Sequence, residues 1–173
     1  MAIQNMFDAL VARSPNITLA ENAGEFARLI GSWNVQVLDA ERDGSKRVSQ
    51  GEWHFGWALE GRAIQDVLIV PERKHRGRDM PTIGNRYMTT LRVFDSREVI
   101  WRTFTIDPLN NVYLVMAARE IDGRIALEGS GVTGDLHRVT LSDISQNSFK
   151  LSEERAEGEN WAITMELEAR RAA

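Results

Sequence analysis

The stretch LIGSWNVQV, residues 29–37, changes its hydrophobic period midway. Upstream, in ENAGEFARLIG (residues 21–31), Phe26, Leu29 and Ile30 have helical spacing and Gly31 is placed to end the helix. Downstream, Trp33, Val35 and Val37 alternate with Asn34 and Gln36, the period of a half-buried strand. A short helix therefore delivers the chain into a first strand. An earlier helical piece is expected where Met6, Leu10 and Val11 form a small apolar stripe, and Pro15 separates the two because it resists a helix interior.

Beyond residue 37 the strand pattern persists. The turn RDGSK (42–46) leads to a strand over Val48–Leu59, and EGR (60–62) turns it into Ala63–Val70. A basic loop, PERKHRGRD (71–79), runs on to about Gly84. Strands then follow over Arg86–Phe94, Glu98–Ile106 and Val112–Ile121, joined at Ser96-Arg97 and DPLNN. Asp122-Gly123 is a two-residue hairpin signal leading into Arg124–Gly129, and three more strands are expected near 137–144, 148–156 and 161–169. Such short, regularly punctuated strands form a meander, and closing it removes both exposed edges. The expected fold is all-β: an antiparallel up-and-down meander closed into a barrel of about 8–10 strands, with an open sandwich as the alternative. Residues 1–30 form a helical segment covering or capping the barrel, and residues 31–171 form the barrel. Barrels of this size can hold one small ligand.

Composition narrows the function. The 173 residues suit one domain, and 43% hydrophobic content argues against wholesale disorder. With no cysteine, disulfides and thiolate chemistry are excluded. The N-terminus lacks a basic start followed by a long apolar core, and no run approaches a membrane helix, so a soluble, cytoplasmic protein is expected, with no membrane partner. A net charge of −4 argues against nucleic acid. The basic loop is either a solvated connection or a contact for an anion. Three histidines without close spacing make no metal signature, and Gly51, Gly56 and Gly61 fit strand bending or turning better than a phosphate cradle, so no cofactor is expected.

GSWNV (31–35) resembles the Gly-x-Trp signature of the lipocalin-like, or calycin, barrels. The chain also resembles a bacterial family of uncharacterised calycin-like proteins over LIGSWNV, GEWHFGWALEGRAIQDV, DGRIALEG and ISQNSFKLSEERAEGENWAITMELEARR. The resemblance implies that Trp33 plugs one end of the barrel after a helical segment, and that a late basic residue, Arg170 or Arg171, covers its ring. It implies little about activity, because such barrels host transport, storage, isomerisation and lyase-type chemistry alike.

Turn geometry assigns faces. Taking Glu60-Gly61 as a turn pairs Trp57 with Ile64, Phe55 with Asp66 and Trp53 with Leu68. Asp66 then lies among Trp53, Phe55 and Trp57, where low dielectric suits a general acid or base, or where it binds a backbone donor or Arg86. Glu52 and His54 share the opposite face. A carboxylate can orient an imidazole for proton transfer, but His54 is an ordinary surface residue if the tryptophans point in. Further along, Arg102, Ala117 and Glu128 fall on one face with Tyr87, Phe104 and Tyr113. This predominantly large, apolar face is expected to be the interior, with Arg102 paired to Glu128 or to a ligand anion. The other face keeps Trp101, Leu114, Met116 and Leu127, which suggests cover by the helices or a homodimer.

Three functions compete. The first is binding of a small, partly apolar, aromatic or oxygenated and possibly anionic molecule, with cofactor-free isomerase, hydratase or lyase chemistry. Asp66, Arg102, His54 and Tyr87 would be catalytic there, and Trp53, Phe55, Trp57, Phe104, Tyr113 and Glu128 would line the site. The second is a carrier without turnover, and the third a structural barrel with a filled core.

Overall fold

A computed structural model describes residues 2–75, 77 and 84–173. Three short helices, α1 (Ala2–Leu10), α2 (Ile17–Ala20) and α3 (Gly24–Arg28), precede the barrel, and a two-residue strand, β1 (Val11–Ala12), sits between the first two. The barrel strands are β2 (Gly31–Ala40), β3 (Lys46–Ala58), β4 (Ala63–Val70), β5 (Arg86–Asp95), β6 (Ile100–Asp107), β7 (Val112–Ile121), β8 (Arg124–Gly131), β9 (Leu136–Ser142), β10 (Ser148–Glu157) and β11 (Asn160–Arg171). Each pairs antiparallel with the next, and β11 returns to pair with β2. Ten strands thus close an up-and-down barrel, which leaves no free edge among them. β1 extends the sheet on β3 at Trp57 and Ala58, just past the end of β2.

The expected helix over 21–31 is shorter, Gly24–Arg28. Asn16 caps α2, its side chain accepting from Leu19 N at 2.9 Å, and Glu21 closes that separate turn. Met6 and Val11 stay exposed and Leu10 is half-buried, so their stripe buries little. Arg76, Arg78 and Asp79 of the basic loop lie outside the described residues. Its first part packs on the outer wall, where Glu52 accepts from Arg73 N at 2.8 Å and from Arg73 Nε at 2.7 Å.

One end of the barrel is plugged. Trp33 is buried and its indole donates to Leu29 O at 2.7 Å. Arg171 stacks over the ring at 4.1 Å and donates to the carbonyls of Arg28 and Ile30, both at 2.9 Å, and of Gln146 at 2.6 Å. One guanidinium therefore ties the last strand to the end of α3. Phe26 of α3 reaches in to Trp101, with ring centroids 4.9 Å apart.

The expected pairs Trp57–Ile64, Phe55–Asp66 and Trp53–Leu68 form, as do Arg102–Ala117 and Ala117–Glu128. A two-residue turn at Ser96-Arg97 would pair Phe94 with Val99 and Arg92 with Trp101; instead Phe94 faces Trp101 and Arg92 faces Thr103, because the connection is longer and Val99 takes a left-handed conformation. The inward face of β5–β8 is the reverse of the expectation. Arg92, Thr90, Trp101, Thr103, Leu114, Met116 and Leu127 are buried, while Tyr87, Phe104, Ile106, Tyr113 and Val115 are exposed. The apolar residues that suggested a dimer face are therefore core, and the exposed apolar residues lie on the opposite side of the same strands.

Candidate ligand cavity

Away from the Trp33 plug the barrel interior holds a cavity of about 360 Å³. Its middle is apolar, walled by Leu68, Met88, Leu114, Met116, Leu127 and Leu167, and it opens toward Arg47, Asn85, Arg86 and Asn110. These lie at the ends of strands opposite the helices, so the mouth is the end where β2 runs into β3 and β6 into β7.

Deep in the wall, Asp66 and Arg92 form an ion pair whose side chains are 0% and 5% exposed. The Trp53 indole donates to the other Asp66 oxygen at 2.8 Å. Burial pushes the Asp66 carboxyl above its ordinary value, against the pull of Arg92 and the Trp53 N–H. Arg92 lies 5.4 Å from the Phe55 ring centroid and 5.5 Å from that of Phe26, and its Nε has no hydrogen-bond partner among the described residues. Arg92 lines the cavity, with the Thr90 and Thr105 hydroxyls bonded to each other at 3.0 Å on the neighbouring inward positions.

Two more polar clusters stand nearer the mouth. Asp39 accepts from Arg47 at 3.0 Å and from Arg86. Burial raises Asp39, but the two guanidiniums outweigh it and hold the carboxyl below its usual range. On the far wall His137 is flanked by two carboxylates, with Nδ1 3.1 Å from Glu153 and Nε2 bonded to Asp135. The Glu153 bond raises His137 most; burial opposes it and Asp135 adds to it. Asp135, held by Thr133 and His137, is lowered to about 2.

Of the residues expected to form the site, Asp66, Trp53 and Phe55 are brought together inside the barrel, with Trp57 half-buried near the plugged end. Asp66 is no open acid, because Arg92 and Trp53 take its two oxygens. His54 points outward, as the tryptophans' inward orientation requires; it bonds Glu52 at 2.8 Å and Ser32 at 2.9 Å. Arg73 is the main cause of a Glu52 value lowered to about 2. Arg102, Tyr87, Phe104, Tyr113 and Glu128 do not line the interior. Arg102 pairs with Glu98 at 2.7 Å and Glu128 with Arg138 at 3.0 Å, both outside, rather than with each other. The reason is steric and electrostatic: the inner positions of β5 and β6 hold Thr90, Arg92, Trp101, Thr103 and Thr105, and Asp66 neutralises Arg92 there. Arg92, Asp39, His137 and Glu153 were missed, and Arg86, expected as a partner of Asp66, pairs with Asp39 instead. Cross-strand pairing of β4 with β5, which sets Asp66 beside Thr90 and Ile64 beside Arg92, carries the signal that places Arg92 inside.

Fold and cavity together define a closed ten-stranded up-and-down barrel with one plugged end and one mouth. The crystal structure of Rv2717c from M. tuberculosis has this fold: it superposes with a TM-score of 0.63 at 13% identity, covering 92% of this chain and 100% of that one. At that identity the likeness shows the fold alone. EF1p2_mFAP2b bound to DFHBI (TM-score 0.37, 12% identity, 87% and 99% covered) and the redesigned β-barrel b11L5F_LGL (0.35, 13%, 85% and 94%) match more loosely. No family model matches the chain, and no curated protein matches it.

Proposed function

We propose that the barrel interior binds a compact, partly apolar organic molecule carrying an anionic or oxygen-bearing group, without a cofactor. The observation that carries this is the Nε of Arg92, unpartnered among the described residues, in the wall of a 360 Å³ cavity whose middle is apolar. The volume falls within the range of small-molecule sites, which combine apolar walls with a few placed polar groups. The Trp33–Arg171 plug supports the resemblance to lipocalin-like barrels, whose interiors serve such roles. Arg92 replaces Arg102 as the anion-binding arginine, and Trp53, Thr90 and Thr105 are its neighbours at the site.

The test is native mass spectrometry of freshly purified protein, with titration by 1-anilinonaphthalene-8-sulfonate as an aromatic anionic probe. A retained small molecule or saturable one-to-one probe binding is expected, and Met116→Trp, which fills the cavity, abolishes it. Failure of the probe to bind, with no retained molecule, overturns the proposal.

A further inference from the structure

We propose that Glu153 is the proton-accepting group of this cavity, served by a hydrogen-bonded relay through His137 to Asp135 at the solvent side. The inference rests on the interior being a small-molecule site. A β-bulge builds the arrangement: β10 and β11 lose register between Glu153 and Glu154, which face Met165 and Ile163 and leave Thr164 unpaired. Bulges re-aim side chains. Thr164 donates to Glu153 O at 3.3 Å, and Glu153, His137, Thr164 and Arg155 all line the cavity. The exposures order the relay: the side chains of Glu153 and His137 are 19% and 10% exposed, and that of Asp135 is 35% exposed on the rim.

Among the described residues, the groups facing His137 are few. Glu153 and Arg155 come from β10 and Asp135 from the loop before β9, while its β8 neighbour is Gly129, which contributes no side chain. The bond to His137 uses Oε1 of Glu153 and leaves Oε2. In its neutral form, with the proton on Nε2, an imidazole with a carboxylate at each nitrogen passes a proton without turning: Nδ1 accepts from Glu153 while the Nε2 proton moves to Asp135 and on to water. The reaction class is abstraction from an acidified C–H. The C–H bond breaks, its proton forms an O–H bond on Glu153, and the electron pair moves onto an electron-withdrawing oxygen or expels a leaving group of the same molecule. Return of the proton to another carbon completes an isomerisation; loss of the leaving group completes an elimination. No further reactant is needed. The elevated His137 value agrees with two carboxylate partners.

The experiment uses the full chain and 5-nitrobenzisoxazole. A base removes its ring C–H proton, the N–O bond breaks, a nitrile forms, and the oxygen leaves as a coloured phenolate. The expected result is turnover above that of acetate at equal concentration and pH, lost by about 100-fold in Glu153→Gln. His137→Ala keeps part of the rate and recovers the rest with added imidazole, beyond what imidazole gives with Glu153→Gln; a purely structural role would show no such recovery. Glu60→Gln, at the plugged end, keeps the full rate. Circular dichroism and melting of each variant verify folding. Turnover no better than acetate, or retained by folded Glu153→Gln, overturns the relay. If 1-anilinonaphthalene-8-sulfonate still binds, only the relay falls; if it does not bind and there is no turnover, the cavity reading falls with it.

Discussion

Arg92→Met tests the interior most directly. Methionine keeps much of the side-chain length but removes the guanidinium, and with it the cation–π contacts to Phe26 and Phe55. Asp66 is then left with the Trp53 indole, 2.8 Å away, as its remaining donor, at a site where its side chain is 0% exposed. Breaking a buried pair by removing one partner costs about 3–5 kcal/mol, so with a urea slope of about 2 kcal/mol/M the midpoint falls by about 1.5–2.5 M. The deficit has a pH signature. Without Arg92, burial lifts the folded Asp66 carboxyl still further above its unfolded value, so the folded state holds a proton that the unfolded state has released. Stability of the variant therefore falls as pH rises above about 4, and the gap to the parent is smaller near pH 5 than near pH 8. Asp66→Asn on top of Arg92→Met removes the stranded charge and recovers much of the loss. Urea melts of the four members of this cycle, read by tryptophan fluorescence, supply the numbers. A loss under about 1 kcal/mol, the range of an exposed pair, or a deficit independent of pH, would mean that water reaches the pair.

Gly129 of β8 packs tightly against β7: a Cβ there would overlap the Val115 carbonyl and sit 2.6 Å from Met116 Cα, whereas one at Gly56 meets nothing within 4 Å. Gly129→Ala is expected to cost about 3 kcal/mol, a melting drop of about 6–12 °C, and Gly56→Ala to change stability by less than about 0.5 kcal/mol; scanning calorimetry decides. The His137 cluster sets a second pH dependence. Because the Glu153 bond raises His137, its contribution is fully present below the unfolded value of about 6.5 and is lost as pH rises through the higher folded value. Asp135, lowered to about 2, contributes above about pH 4 and loses that contribution as pH falls toward 2. Urea midpoints taken across neutral pH should decline on the alkaline side in the parent and not in His137→Gln; equal slopes would remove the cluster from the stability of the fold.

The fold was legible because its signals are local. The period change at Trp33, the Asp122-Gly123 turn with both residues in the left-handed region, and the even strand spacing each report on neighbouring residues. The inner face of β5–β8 was not, because alternation divides a strand into two faces without saying which turns inward. One face held Arg102 among aromatic and branched residues; the other held Arg92 among threonines and Trp101. Side-chain size favoured the first. The deciding fact is an ion pair between strands separated by the basic loop, and no turn signal spans that gap. His137 escaped notice for a related reason: its partners are Asp135, two residues away, and Glu153, on the next strand.

Antiparallel partners share a face, and in a closed barrel that sense is handed from strand to strand. Phe55 is buried and pairs with Asp66, Asp66 with Thr90, Thr90 with Thr105, and Thr105 with Leu114. One inward residue on β3 therefore fixes the interior across to β7. It also fixes where charge stands inside. Arg86 and Arg92 share the inner side of β5 six residues apart, about 20 Å along an extended strand. A compact acid in a 360 Å³ space cannot bridge both. Arg86 is already committed to Asp39, while Arg92, though paired with Asp66, keeps an Nε that is unpartnered among the described residues. The deep site and the mouth thus make separate demands on an occupant: an anion held at Arg92 lies toward the Trp33 plug, and whatever extends past the apolar belt meets Arg86 and Glu153 from opposite walls.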